Sequence, residues 1–183
     1  MEENIKRQIA DAMHIERMLA RLAHQIVEKN RGAAKIALIG IRTRGAPLAD
    51  RLSKLISKIE QDIVIPVGIL DITLYRDDFL TARKTPKVQA TEIPFDIRDR
   101  VLVLVDDVLF TGRTIRSAID ALLDHGRPAK IQLAVLVDRG HREMPIQGDF
   151  VGVTVSAAPG EEVRVCLQEI DGSDQIILVE KGA

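Results

Sequence analysis

Short apolar runs alternate with stretches of helical period along this chain, and that alternation predicts most of the fold. Met18, Leu19, Leu22, Ile26 and Val27 recur at helical spacing, with Arg17, Arg21, Glu28 and Lys29 on other faces. "KIALIGI" (35–41) is a continuous apolar run that predicts a buried strand, and "PLADRLSKLISKIE" (47–60) returns to helical period with Pro47 in its first turn. A second strand is predicted over 64–75. The polar stretch 76–94, "RDDFLTARKTPKVQATEIP", carries neither period and predicts a long loop of functional use. Strand 101–105, helix 114–126 (stopped by Gly126, with Pro128 beyond) and strand 130–138 follow. Two shorter strands, near 149–155 and 162–170, are expected to finish the sheet, and 175–180 to add an edge. Strands and helices that alternate this way predict an α/β fold, a mainly parallel sheet covered on both faces.

Composition narrows the class. The 183 residues suit one domain, and no repeat, low-complexity tract or linker divides them. Aromatic residues make up 3%, so aliphatic side chains must fill the core. A net charge of −1 argues against wholesale coating of nucleic acid or membrane, although 26 Lys and Arg leave room for a local basic face. One cysteine, Cys166, excludes an intrachain disulfide and a cysteine-rich zinc site, and fits a reducing compartment. The charged N-terminus lacks the apolar core of a signal peptide, and no apolar run reaches membrane-spanning length, so a cytoplasmic protein is expected.

The chemistry concentrates in "VLVLVDDVLFTGRT" (101–114). In an open α/β sheet, ligands bind beyond the carboxyl ends of the strands, and Asp106 and Asp107 are expected at such an end. Gly112 lets the backbone approach a ligand, Thr111 and Thr114 offer hydroxyls, and the next helix begins there, so the turn is a phosphate cradle without the lysine of a Walker loop. Carboxylates beside a phosphate need partners of their own, either sugar hydroxyls or a magnesium ion. A ribose 5-phosphate satisfies both halves. An acidic pair after a strand also occurs in metal-binding phosphotransfer domains, and an acid can merely cap a helix. The attached "TGRT" favours the sugar phosphate.

That stretch resembles the phosphoribosyl pyrophosphate (PRPP) motif of type I phosphoribosyltransferases. "GIRTRGAPLADRL", "DITLYRDD" and "GRPAKIQLAVLVDRGHREMPI" extend the resemblance to the bacterial pyrimidine-operon attenuation regulators that are also uracil phosphoribosyltransferases, over residues 13 to 152 with a looser tail. The resemblance implies one domain over 1–183, with a flexible loop at about 75–92 and a small hood from about 139–183 plus part of the N-terminus. It implies conversion of uracil and PRPP, with Mg²⁺, to UMP and diphosphate. PRPP would meet Thr43, Arg44, Asp106, Asp107, Val108, Leu109, Phe110, Thr111, Gly112, Arg113 and Thr114. The catalytic set would be Asp106, Asp107, Arg44 and Arg76. Arg44 suits a diphosphate because its planar fork bonds two oxygens together. Asp77 and Asp78 would steer magnesium or hold the loop's hinge, and Asp107 would meet the metal mainly through PRPP. Val137, Asp138, Arg139 and Val163 would read uracil or UMP; His141 is expected to be an ordinary loop residue. A purine enzyme of the same class would share the PRPP motif but not "LVDRGHRE" in this form.

The resemblance also implies UMP-dependent binding of a pyrimidine-operon leader mRNA, with Arg21, His24, Lys29 and Arg142 on the RNA face, and a homodimer or larger homo-oligomer. Departures from the family pattern cluster on that face. Ala20 stands where a threonine is usual, Gln147 replaces an arginine and Val153 a lysine. Two lost charges would weaken phosphate contacts, so a transferase that has lost regulation, or a UMP-sensing RNA binder with weak catalysis, remain as alternatives.

Overall fold

A computed structural model describes residues 5–61, 63–75 and 90–180. Its main sheet holds β2 (Ile36–Ile41), β3 (Val67–Leu70), β4 (Val101–Leu109), β5 (Lys130–Asp138) and β6 (Phe150–Thr154), in the order β3-β2-β4-β5-β6 with every neighbour parallel. The strand side chains alternate between two cores. Ile36, Leu38, Val103, Val105, Ala134 and Leu136 face α1 (Ala12–Asn30) and α2 (Gly45–Ile59). Ala37, Ile39, Leu102, Leu104 and Leu133 face α3 (Arg113–Leu123). The doubly covered parallel sheet is thus as expected, and it explains why these strands read as unbroken apolar runs.

A second, antiparallel sheet orders β1 (Ile5–Ala10), β8 (Gln175–Glu180) and β7 (Glu161–Cys166), with β8 at its centre. Its inward residues Val163, Val165, Ile176 and Leu178 join the α1/α2 core. Three expectations change here. The 162–170 strand stops at Cys166, belongs to this second sheet, and is followed by the short helix α4 (Gln168–Asp171). Residues 175–180 are a central strand, where an edge was expected. The charged segment 5–10 is a strand that no apolar alternation announces, because only Ala10 of its six residues is buried. Within 139–183, residues 150–154 pair with β5, so the small sheet is assembled from separated pieces.

Two more boundaries move. The 64–75 strand is cut to Val67–Leu70, because the Asp71 carboxylate accepts the Thr73 N–H (2.9 Å) and hydroxyl (2.5 Å) and turns the chain into a 3-10 turn at Thr73–Tyr75. The acid-bearing strand runs on past 105 to Leu109, its register with β5 continuing to Leu109 opposite Asp138. Of the long loop, 76–89 lies outside the described residues; beyond it, Glu92 exchanges two backbone bonds with Ile69 at 2.8 Å. Among the described residues no helix is long and apolar enough to cross a membrane.

Candidate functional site

Three loops meet where β2, β4 and β5 end. The first is the turn 42–45. Its entry into α2 is tight, because a Cβ on Gly45 would collide with the Val105 carbonyl oxygen, so only glycine lets α2 begin against the end of β4. The Arg42–Thr43 peptide is cis. Arg42 binds the Ala90 carbonyl (3.2 Å) and the Glu92 carboxylate (3.1 Å), tying this turn to the far side of the 76–89 segment. Arg44 makes a two-pronged ion pair with Asp171 of α4, Nε to Oδ2 at 3.2 Å and Nη2 to Oδ1 at 2.7 Å.

The second loop carries the acids. Asp106 is 7% exposed, and its Oδ1 accepts the Asp107 N–H at 3.0 Å. The Asp107 carboxylate accepts the Val108 N–H at 2.8 Å. Burial pushes the Asp107 carboxyl above its ordinary range, against the Val108 N–H and the nearby Arg44 charge, which pull it down. Gly112 takes φ 92°, a left-handed value suited to glycine, and α3 starts at Arg113. Thr111 Oγ1 lies 3.3 Å from the Arg113 N–H, and the first-turn amides of α3, which lack intrahelical acceptors, sit with Thr114 at the same turn.

The third loop leaves β5 after Asp138 and is laced to the second. The Arg139 N–H donates to Leu109 O (2.9 Å), and those of Glu143 and Met144 donate to Thr111 O (2.9 and 3.0 Å). Arg142 donates to Phe110 O (2.8 Å), to Ile146 O (2.9 Å) and to the Asp138 carboxylate (2.6 Å). Burial pushes the Asp138 carboxyl up, but the bonds from Arg142 and the Gly140 N–H outweigh it and leave it lowered. The Arg139 guanidinium lies 4.0 Å from the centre of the Phe110 ring and reaches Glu161 O of β7 at 2.8 Å. Val137 is fully buried in β5, and Val163 is 5% exposed in β7. His141 is exposed with φ 56°.

The fold therefore brings Thr43, Arg44, 106–114 and 137–139 to one end of the main sheet. Arg76, Asp77 and Asp78 lie outside the described residues. The candidate RNA residues separate. Arg21 donates to the carbonyls of Val151 and Gly152, and Lys29 pairs with Asp149 (2.6 Å) over the Phe150 ring. His24 is exposed on the same helix, whereas Arg142 belongs to the third loop. Sequence reasoning missed Asp171, and also the clamp that Arg51 forms on Glu169 and Asp174. The acids of "QEIDGSD" are visible in sequence, but their arginine partners lie more than a hundred residues away.

An open parallel sheet whose acid-bearing strand leads through a glycine turn into a helix is the frame of a phosphoribosyltransferase, and the phosphoribosyl transferase domain family matches residues 6–170. Solved relatives share the fold. A hypoxanthine phosphoribosyltransferase from Staphylococcus aureus superposes with a TM-score of 0.70 at 17% identity, covering 97% of this chain and 94% of that one. One from Trypanosoma cruzi reaches 0.74 at 14%, covering 96% of each. Closer in sequence are the "Bifunctional protein PyrR" of Pelotomaculum thermopropionicum, 55% identical over 96% of each chain, and that of Deinococcus radiodurans, 53% identical over 96% of this chain and 95% of the relative. The chain belongs to the phosphoribosyl transferase family, and within it to the group of these bifunctional PyrR proteins.

Proposed function

We propose that this protein transfers the phosphoribosyl group of PRPP to uracil, giving UMP and diphosphate, and that with UMP bound it engages a pyrimidine-operon leader mRNA and promotes transcription termination in the cytoplasm. The observation that carries the reading is the joining of the acid strand, the cradle at Gly112 and the 137–144 loop by direct hydrogen bonds. The 5-phosphate sits on the amides and hydroxyls of 111–114. Asp106 and Asp107 accept the ribose 2- and 3-hydroxyls. Thr43 and Arg44 meet the diphosphate, with Arg76 as a further cation, and Val137, Asp138 and Arg139 lie along uracil's edge. As the C1–O bond breaks, positive charge grows at C1; the protein's part is to hold uracil N1 in line and to stabilise the leaving anion.

Among the described residues no group of three or more His, Cys, Asp or Glu forms a metal cage. A pair of carboxylates beside the cradle fits instead a magnesium ion carried in on PRPP, held by substrate oxygens with help from Asp107. When bound, it would supply neutralisation of the diphosphate's charge.

Conversion of uracil with magnesium PRPP, followed by UMP release, tests the transferase. Asp106→Asn with Asp107→Asn is expected to remove most activity; turnover of hypoxanthine, guanine or orotate with none of uracil would overturn the substrate assignment. The regulatory half has a separate test, gel shift of the organism's own pyrimidine leader RNA with and without UMP. A shift only with UMP is expected, and none in moderate salt would leave a transferase alone. Gln147 and Val153 each lack a charge that the family pattern has, and Ala20 lacks a hydroxyl, so the shift is expected to be weaker and less salt-dependent than with those groups in place.

A further inference from the structure

Arg44 is held, before any ligand arrives, by a carboxylate from the other sheet's side of the molecule. We infer that Asp171 is a positioning residue for diphosphate departure, one that fixes the Arg44 guanidinium with its phosphate-binding edge open. The inference rests on the proposal that Arg44 meets the diphosphate.

The argument is geometric. A guanidinium has five N–H donors in one plane. Asp171 takes two of them side-on, through Nε (3.2 Å) and Nη2 (2.7 Å). The second Nη2 hydrogen and one on Nη1 remain on the end-on edge, a pair of donors that matches two oxygens of a phosphate. The Asp171 carboxylate is itself immobilised, since Oδ2 also accepts the Leu167 N–H at 2.8 Å and the Asp171 N–H donates to Leu167 O at 2.7 Å. Leu167 is fully buried.

A purely mechanical role is already filled. Arg51, two turns along α2, binds Glu169 at 2.8 and 2.5 Å and Asp174 at 2.7 and 2.9 Å, which fastens α4 to α2. The Arg44–Asp171 pair adds little as a second fastener. What it adds is an orientation at the start of α2, beside Asp107, whose carboxylate lies in the Arg44 field. An arginine already aimed costs no rearrangement as charge develops on the leaving oxygen.

Steady-state kinetics on the full chain test this, with uracil, magnesium PRPP and inorganic diphosphate as product inhibitor. Asp171→Asn keeps the side-chain shape but loses the charge and one acceptor. It is expected to lower kcat by about tenfold or more and to weaken diphosphate inhibition by a similar factor, leaving the KM for uracil unchanged. Asp171→Glu should recover part of both. Arg44→Ala should show the same losses, and adding Asp171→Asn to it should cost nothing further. Glu169→Gln, which loosens the neighbouring clamp without touching Arg44, should lower Tm and leave diphosphate inhibition intact. Wild-type kcat and diphosphate inhibition in Asp171→Asn, alongside losses in Arg44→Ala, would overturn the positioning role, as would fully additive losses in the double variant. Normal kinetics in Arg44→Ala would instead overturn the assignment of Arg44 itself.

Discussion

At the scale of single residues, the site sets chemistry against stability. Asp107 is half-buried, and the loss of solvent disfavours its charged form, so its carboxyl is raised above the ordinary value of 3.8. A carboxyl raised in the folded state holds its proton there longer than in the unfolded chain. Its contribution therefore favours folding most below the ordinary value and is lost as pH rises through the folded one. Asp107→Asn should consequently raise Tm at neutral pH while lowering activity, and the gain in Tm should shrink as pH falls into the carboxylate range; a Tm difference independent of pH would contradict this. Gly45 makes a different demand. Gly45→Ala forces the start of α2 away from Val105, and is expected to cost about 1–3 kcal/mol and to raise the KM for PRPP, as followed by thermal melts and initial rates. The acids and the cradle were legible in sequence because their types are unusual after an apolar strand. The need for glycine at 45 was not, since it comes from the Val105 carbonyl, sixty residues away.

At the scale of elements, legibility followed burial on both faces. Strands β2, β4 and β5 are sandwiched between two cores and so read as apolar runs, whereas β1 shows water four exposed residues and reads as nothing in particular. Strand β3 was overextended because Asp71, which turns the chain, sits inside an otherwise β-prone stretch. Helix α4 has four residues and no periodicity to offer; its place is fixed by Arg51. Arg51→Met removes the clamp on α4 and leaves two partly exposed carboxylates unpaired. A loss of about 1–2 kcal/mol is expected from denaturant titration, at the low end because Glu169 is well solvated.

For the whole molecule, the small sheet hangs on the large one through apolar packing and through carboxylates whose partners are arginines. Asp171, Asp174 and Glu169 are all lowered, chiefly by hydrogen bonds from Arg44 and Arg51. A lowered carboxyl contributes stability that is complete above its ordinary value and is lost as pH falls through its folded one. Acidification below about pH 4 should thus release the α4 region before the main sheet. Hydrogen exchange, corrected for intrinsic rate, should rise at residues 167–174 at a higher pH than at 102–105; simultaneous release would contradict it. The main sheet's own border supplies a last consequence. Arg21 rests its guanidinium on the Val151 and Gly152 carbonyls of β6, the outermost strand on that side. A strand at the edge of a sheet has backbone groups that no neighbouring strand satisfies, and here a side chain takes up that task. The cation expected to greet RNA phosphates is thus already engaged by two backbone carbonyls, and an RNA that recruited Arg21 would have to break those bonds.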